Sequence, residues 1–111
     1  MIKSDKPKLT VVQGDYGYDL NFTLKDSAGT VVNITGGSLK LKAQKKGQTA
    51  LAFNGTMTIV SGSAGTCKYT VVNGDFATAG EYYAEIELTL GGVVQTFQDF
   101  VIDCQAQLPR S

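Results

Sequence analysis

Two cysteines, ten Asp and Glu, ten Lys and Arg, and no histidine set the chemistry open to this 111-residue chain. Imidazole is the commonest general base and the commonest metal ligand, so its absence excludes Ser–His, Cys–His and His–metal sites within the chain. Cys67 and Cys104 lie 37 positions apart, and neither has a second cysteine close by, which rules out CxxC redox chemistry and a zinc ribbon. Both fall on expected strands. Free, buried thiols acting as small apolar residues are the favoured reading; a disulfide would need facing strands and oxidising surroundings.

The acids offer little more. Asp15, Asp26 and Asp75 sit where turns need them, no D-x-D-x-D-G loop is present, and Asp19, Asp99 and Asp103 are scattered over other segments. Glu85 and Glu87 place two carboxylates on one exposed strand face, but nothing in the sequence supplies the cleft and aromatics that a glycosidase pair requires. Gly14-Asp15-Tyr16-Gly17 lacks the lysine and following helix of a phosphate loop. Tyr16, Tyr18, Phe22 and Tyr69 are the residues able to stack on bases, yet alternation sends most aromatics inward and the formal charge is +0. The Asn21, Asn33 and Asn54 N-x-Thr triplets are ordinary in a chain with twelve threonines. No catalytic, cofactor-binding or metal-binding residue is assigned. A non-enzymatic chain is expected, with no nucleic acid, membrane or small-molecule substrate as partner.

The elements that position these residues are strands. Val, Ile and Thr number 27, thirteen glycines punctuate short apolar runs, and the only prolines are Pro7 and Pro109. Alternation is clean over 18–25, 39–43, 66–72 and 81–90, giving an inward set that includes Leu20, Phe22, Leu39, Leu41, Cys67, Tyr69, Tyr82, Ala84, Ile86 and Leu88. Further strands are expected near 9–13, 31–34, 51–53, 56–60 and 93–104. Asn54-Gly55 reads as a two-residue hairpin, and Gly91-Gly92 as another tight turn. Seven to nine strands with no helical period argue for an all-β fold, an immunoglobulin-like antiparallel β-sandwich, with a small β-barrel as runner-up. Residues 1–8 are expected to be a flexible arm, 9–104 one domain, and 105–111 a tail or linker. The start has no apolar stretch of the kind that marks a secretory signal, so the chain reads as made in the cytosol. Tyr82 takes the place of a corner tyrosine, whose hydroxyl reaches back to the preceding backbone.

Charge is uneven along the chain: residues 1–46 hold eight lysines against four acids, and 47–111 six acids against Lys68 and Arg110. In such a sandwich Lys40 and Lys42 lie across from Glu85 and Glu87, as cross-strand ion pairs or as complementary charges across a subunit boundary. With Tyr83 outward among the glutamates and Val93-Val94 at a hairpin tip, the candidate interface is Lys40, Lys42, Tyr83, Glu85, Glu87, Val93 and Val94.

Residues 12–36 resemble the opening of the N-terminal domain of phage baseplate upper proteins, with a G-D, an alternating strand, a D-x-x-G turn and a Val-x-Ile-Thr-Gly segment. The strand start at 65–69 and Ala79-Gly80-Glu81-Tyr82-Tyr83-Ala84-Glu85 resemble that family's second half, so the likeness spans about 10–103. It implies a virion structural domain that anchors a baseplate, tail or fibre through contacts with other virion proteins or with copies of itself. Such a domain is made in the bacterial host cytoplasm, where free cysteines are normal. Baseplate upper proteins continue into helical and receptor-proximal parts, whereas this chain stops at Ser111, as a cut domain or a small stand-alone virion protein would. The competing expectation is a carbohydrate- or host-receptor-binding module of similar fold.

Overall fold

Period-two alternation sorts the apolar residues into two inner faces, and the computed structural model, which describes residues 8–107, closes them on each other. Eight strands are described: β1 (Lys8–Val12), β2 (Asp19–Thr23), β3 (Ser38–Lys45), β4 (Phe53–Thr56), β5 (Thr58–Ser61), β6 (Thr66–Thr70), β7 (Gly80–Leu90) and β8 (Val93–Gln105). They form a five-stranded sheet in the order β1-β8-β7-β3-β4 and a three-stranded sheet in the order β2-β6-β5. This is the Greek-key arrangement of an immunoglobulin-like sandwich, not a barrel. One pairing departs from the antiparallel expectation: β1 runs parallel to β8, from Lys8 against Val101 to Val12 against Gln105. The first strand comes from the far end of the chain's path and joins β8 in the same direction, so no hairpin can connect them.

The core lies between the sheets. Leu39, Leu41 and Ala43 of β3, Tyr82, Ala84, Ile86 and Leu88 of β7, and Ile102 and Cys104 of β8 are buried from one side; Cys67, Tyr69 and Val71 are buried from the other. Removing one such Leu or Ile side chain from water contributes about 1.5–3 kcal/mol. No polar or charged residue is buried among those described. β8 needs a device to take part, because Phe97 and Ile102 are five apart and cannot share a face of a regular strand. Between the pairs Ile86–Phe97 and Ala84–Phe100, two β8 residues stand against Glu85 alone. This bulge shifts the alternation by one residue and lets both ends of the strand face the core.

Several turns form as read. Asp26 Oδ1 accepts from the Ala28 and Thr30 amides, and Gly91 and Gly92 both take positive φ, the conformation of a tight type I′ hairpin. The 31–34 piece is reduced to a single bridge, Lys25 with Val31, although Ile34 is fully buried. The expected arm at 1–8 falls outside the described residues except for Lys8, which opens β1. The expected tail begins later than read: Gln105 ends β8, and the Gln107 side-chain amide donates to Asp15 Oδ1 at 3.2 Å. Residues 108–111 lie outside the described part.

The Asn54-Gly55 hairpin is not there. Both residues lie inside β4, opposite Lys42 and Leu41, and the chain instead switches sheets at buried Met57, whose amide donates to the Leu39 carbonyl. Gly55 is glycine for a different reason: a Cβ there would overlap the Tyr69 ring that packs against the β4 backbone. Gly55→Ala is therefore expected to destabilise the fold by about 2 kcal/mol or more through overpacking, while Asn54→Ser on the outer face should stay within about 0.5 kcal/mol, both read by chemical denaturation. A small effect of Gly55→Ala would contradict the packing of the Tyr69 ring over this glycine.

Both cysteines are buried and free. Burial pushes the Cys67 thiol from its ordinary 9.0 up to about 11, and burial followed by the Asp103 charge raises that of Cys104. A thiol that ionises later in the folded chain than in the unfolded one contributes stability that is fully present below pH 9 and is lost as pH rises towards 11. The raised hydroxyls of Tyr69 and Tyr82 act in the same direction. Native protein at neutral pH should leave both thiols unlabelled by a water-soluble disulfide reagent, with both reacting after denaturant. Rapid labelling of the native chain would contradict the burial.

Candidate functional site

β7 pairs with β3 on one side and β8 on the other, so its inward residues dictate what its neighbours show to water. With Tyr82, Ala84, Ile86 and Leu88 inside, Glu81, Tyr83, Glu85, Glu87 and Thr89 must point out. Register then sets Gln44 beside Tyr83, Lys42 beside Glu85, Lys40 beside Glu87 and Ser38 beside Thr89. β4 adds Asn54 next to Lys42 and Thr56 next to Lys40, and β8 adds Thr96 next to Glu87 and Val94 next to Thr89. Of the seven candidate interface residues, six therefore share one outer face: Lys40, Lys42, Tyr83, Glu85, Glu87 and Val94. Val93 does not; it pairs with Leu90, whose side points to the core, and stands exposed at the hairpin tip.

The electrostatics are more specific than simple cross-strand pairing. Lys42 Nζ bonds Glu87 Oε2 at 2.8 Å, diagonally, and not Glu85 directly across from it. Their side chains keep 24% and 28% of their exposure, so solvent still screens the pair and it contributes about 1 kcal/mol or less. Lys40 and Glu85 form no ion pair among the described residues. Lys46 and Glu81 approach to 3.6 Å at the end of the face. The face thus carries a basic column on β3 beside an acidic column on β7, flanked by Asn54 and Thr56 of β4 and by Thr96 and Val94 of β8, with Asp103 further along β8 beside Glu81.

Leu51 was missed by the sequence reading. It is 47% exposed on the loop before β4 and, with Lys42, Gln44, Tyr83 and Glu85, lines a shallow depression of about 130 Å³ in this face. A leucine directly after the mainly polar run 44–50 was the available signal. Gln44 could have been found by extending the parity of Lys40 and Lys42 by two residues.

The end of the sandwich beside this face is held by the corner between β6 and β7. The Tyr82 hydroxyl donates to the Thr78 carbonyl at 2.6 Å, a bond worth about 1 kcal/mol. The Tyr69 hydroxyl donates to Asp75 Oδ2 at 2.5 Å, and the same oxygen accepts from the Val72 amide. Phe76 is buried between Phe53 and Tyr82, edge-on to both at 5.2 and 5.3 Å. A wider hollow of about 420 Å³ opens here between Lys45, Leu51, Asp75 and Thr78. Two of its lining residues, Asp75 through Oδ2 and Thr78 through its carbonyl, take part in holding the corner.

Among the described residues no group of three His, Cys, Asp or Glu gathers to hold a metal ion, and no helix is long and apolar enough to cross a membrane. No family model matches the chain, and no curated protein matches it.

Proposed function

We propose that this chain is a non-enzymatic structural module of a phage virion that anchors part of a baseplate, tail or fibre through protein–protein contact. The observation that carries the reading is the outer face of the five-stranded sheet, where six of the seven candidate residues lie together, four of them as ordered columns of opposite charge, with Leu51 beside Tyr83. Rigid strands that hold charge and exposed apolar side chains in fixed register suit docking to another macromolecule. The likeness of 12–36, 65–69 and 79–85 to baseplate upper protein N-terminal domains supplies the virion context. It also implies synthesis in the bacterial host cytoplasm, where the two buried thiols would stay reduced. The partners are other virion proteins, further copies of the chain among them.

A second reading, a carbohydrate- or host-receptor-binding module, draws on one observation: the depression beside Tyr83, where an exposed aromatic ring borders Lys42, Gln44 and Glu85. Light scattering over a concentration series, co-purification with the proteins of neighbouring reading frames, and a glycan array separate the two. Oligomers or complexes with those neighbours and no sugar signal support the virion module. A monomer that ignores the neighbours and binds a defined glycan through Tyr83 contradicts it.

A further inference from the structure

We infer that the outer face of the five-stranded sheet docks a second copy of this chain, related by a two-fold axis that runs along the strands; this presupposes the contact role proposed above. The face reads across as four columns: Asn54 and Thr56 on β4, Lys42 and Lys40 on β3, Glu85 and Glu87 on β7, and Thr96 and Val94 on β8. Rotation by a half-turn about an axis lying in the interface, parallel to the strands and above the β3–β7 boundary, reverses the order of the columns without changing height along them. The lysine column then stands over the partner's glutamate column, Lys40 level with the partner's Glu87 and Lys42 level with the partner's Glu85. The other in-plane axis, across the strands, would set lysine over lysine and glutamate over glutamate. Charge therefore favours the axis along the strands over the axis across them.

The intrachain bonds leave room for this. Lys42 and Glu87 close one diagonal, whereas Lys40 and Glu85, both exposed, form no ion pair among the described residues. In the two-fold arrangement each finds opposite charge on the partner's columns. Tyr83 and Leu51 add apolar area at one end of the columns and Val94 at the other.

Size sets the class of interface to expect. Strands spaced about 4.8 Å apart, with eight residues at about 3.3 Å each as in β3, give the four columns that meet a footprint of at most roughly 500 Å². A standard interface takes about 800 Å² from each partner, so the contact belongs with the small, transient class. Within an array of many copies, weak contacts of this kind add up through multivalency.

Sedimentation velocity of the full chain over a concentration series from about 5 to 500 µM provides the test. Two double variants go with it: Lys40→Glu with Lys42→Glu, which makes the face acidic, and Glu85→Lys with Glu87→Lys, which makes it basic. The wild type should form dimers, weakened about tenfold by raising salt to about 0.5 M. Each variant alone should associate at least about tenfold more weakly than wild type, and an equimolar mixture should recover a heterodimer. Circular dichroism confirms that the variants are folded. Should reversal unfold the chain, Lys40→Gln and Glu85→Gln keep the side-chain size, and their failure to weaken the dimer would overturn the inference. A wild type that is monomeric throughout, a dimer untouched by both reversals, or a mixture no tighter than its components would also overturn it. Binding of a neighbouring-frame virion protein by a monomeric wild type would leave the contact role standing. Absence of both kinds of association would remove that role as well.

Discussion

The parity of β7 is the constraint on which the rest of the molecule depends. Eleven residues, Gly80–Leu90, run between β3 and β8 with Tyr82, Ala84, Ile86 and Leu88 turned inward. A slip of one residue would bury Glu85 and Glu87 and expose that whole apolar set, each carboxylate costing several kcal/mol without a partner. The penalty fixes the register of β3, which in turn holds its own lysines outward. On the other side it forces the bulge in β8, since Phe97 and Ile102 can both reach the core only if the alternation shifts by one. Core and contact surface are thus one decision: the residues that must be dry determine which residues are displayed.

A second device keeps the two sheets in place at one end. Phe53, stacked on Tyr69 at 5.5 Å, leads through Phe76 to Tyr82, so rings from β4, β6, the following corner and β7 touch in sequence. Asp75 and Thr78 receive the two tyrosine hydroxyls, which removes the penalty of burying phenols and ties the corner to both layers. The Gly14 amide also donates to the Phe76 carbonyl, so the turn after β1 is fastened to the same plug.

How much of this is legible in the sequence follows from where one face is wet and the other dry. β2, β3, β6 and β7 are half-buried, and for them alternation reveals strand, face and the β3–β7 juxtaposition of lysines with glutamates. Asn54-Gly55 misleads because glycine has two uses that look identical in one dimension, a positive φ in a turn or a missing side chain under a neighbouring ring. Only the position of Tyr69 tells which applies. The β8 bulge was readable in principle from the spacing of Phe97 and Ile102, but only once both are known to be buried. The parallel β1–β8 pair leaves no local trace, since its partners are 93 positions apart. The diagonal Lys42–Glu87 bond, in place of a direct rung, and the folding of Leu51 beside Tyr83 depend on side-chain and loop conformations that residue spacing does not encode.

What the fold presents, then, is a rigid sheet face with its charges sorted into opposing columns and its apolar side chains at the margins, and the proposed role is contact through that face. Residue-resolved amide NMR on dilute and concentrated samples tests this most directly. The account predicts concentration-dependent shifts and broadening centred on Lys40, Lys42, Tyr83, Glu85 and Glu87, with the three-stranded sheet unchanged. Shifts confined to β2, β5 and β6, or spectra that stay the same at every concentration and in the presence of neighbouring-frame virion proteins, would contradict it.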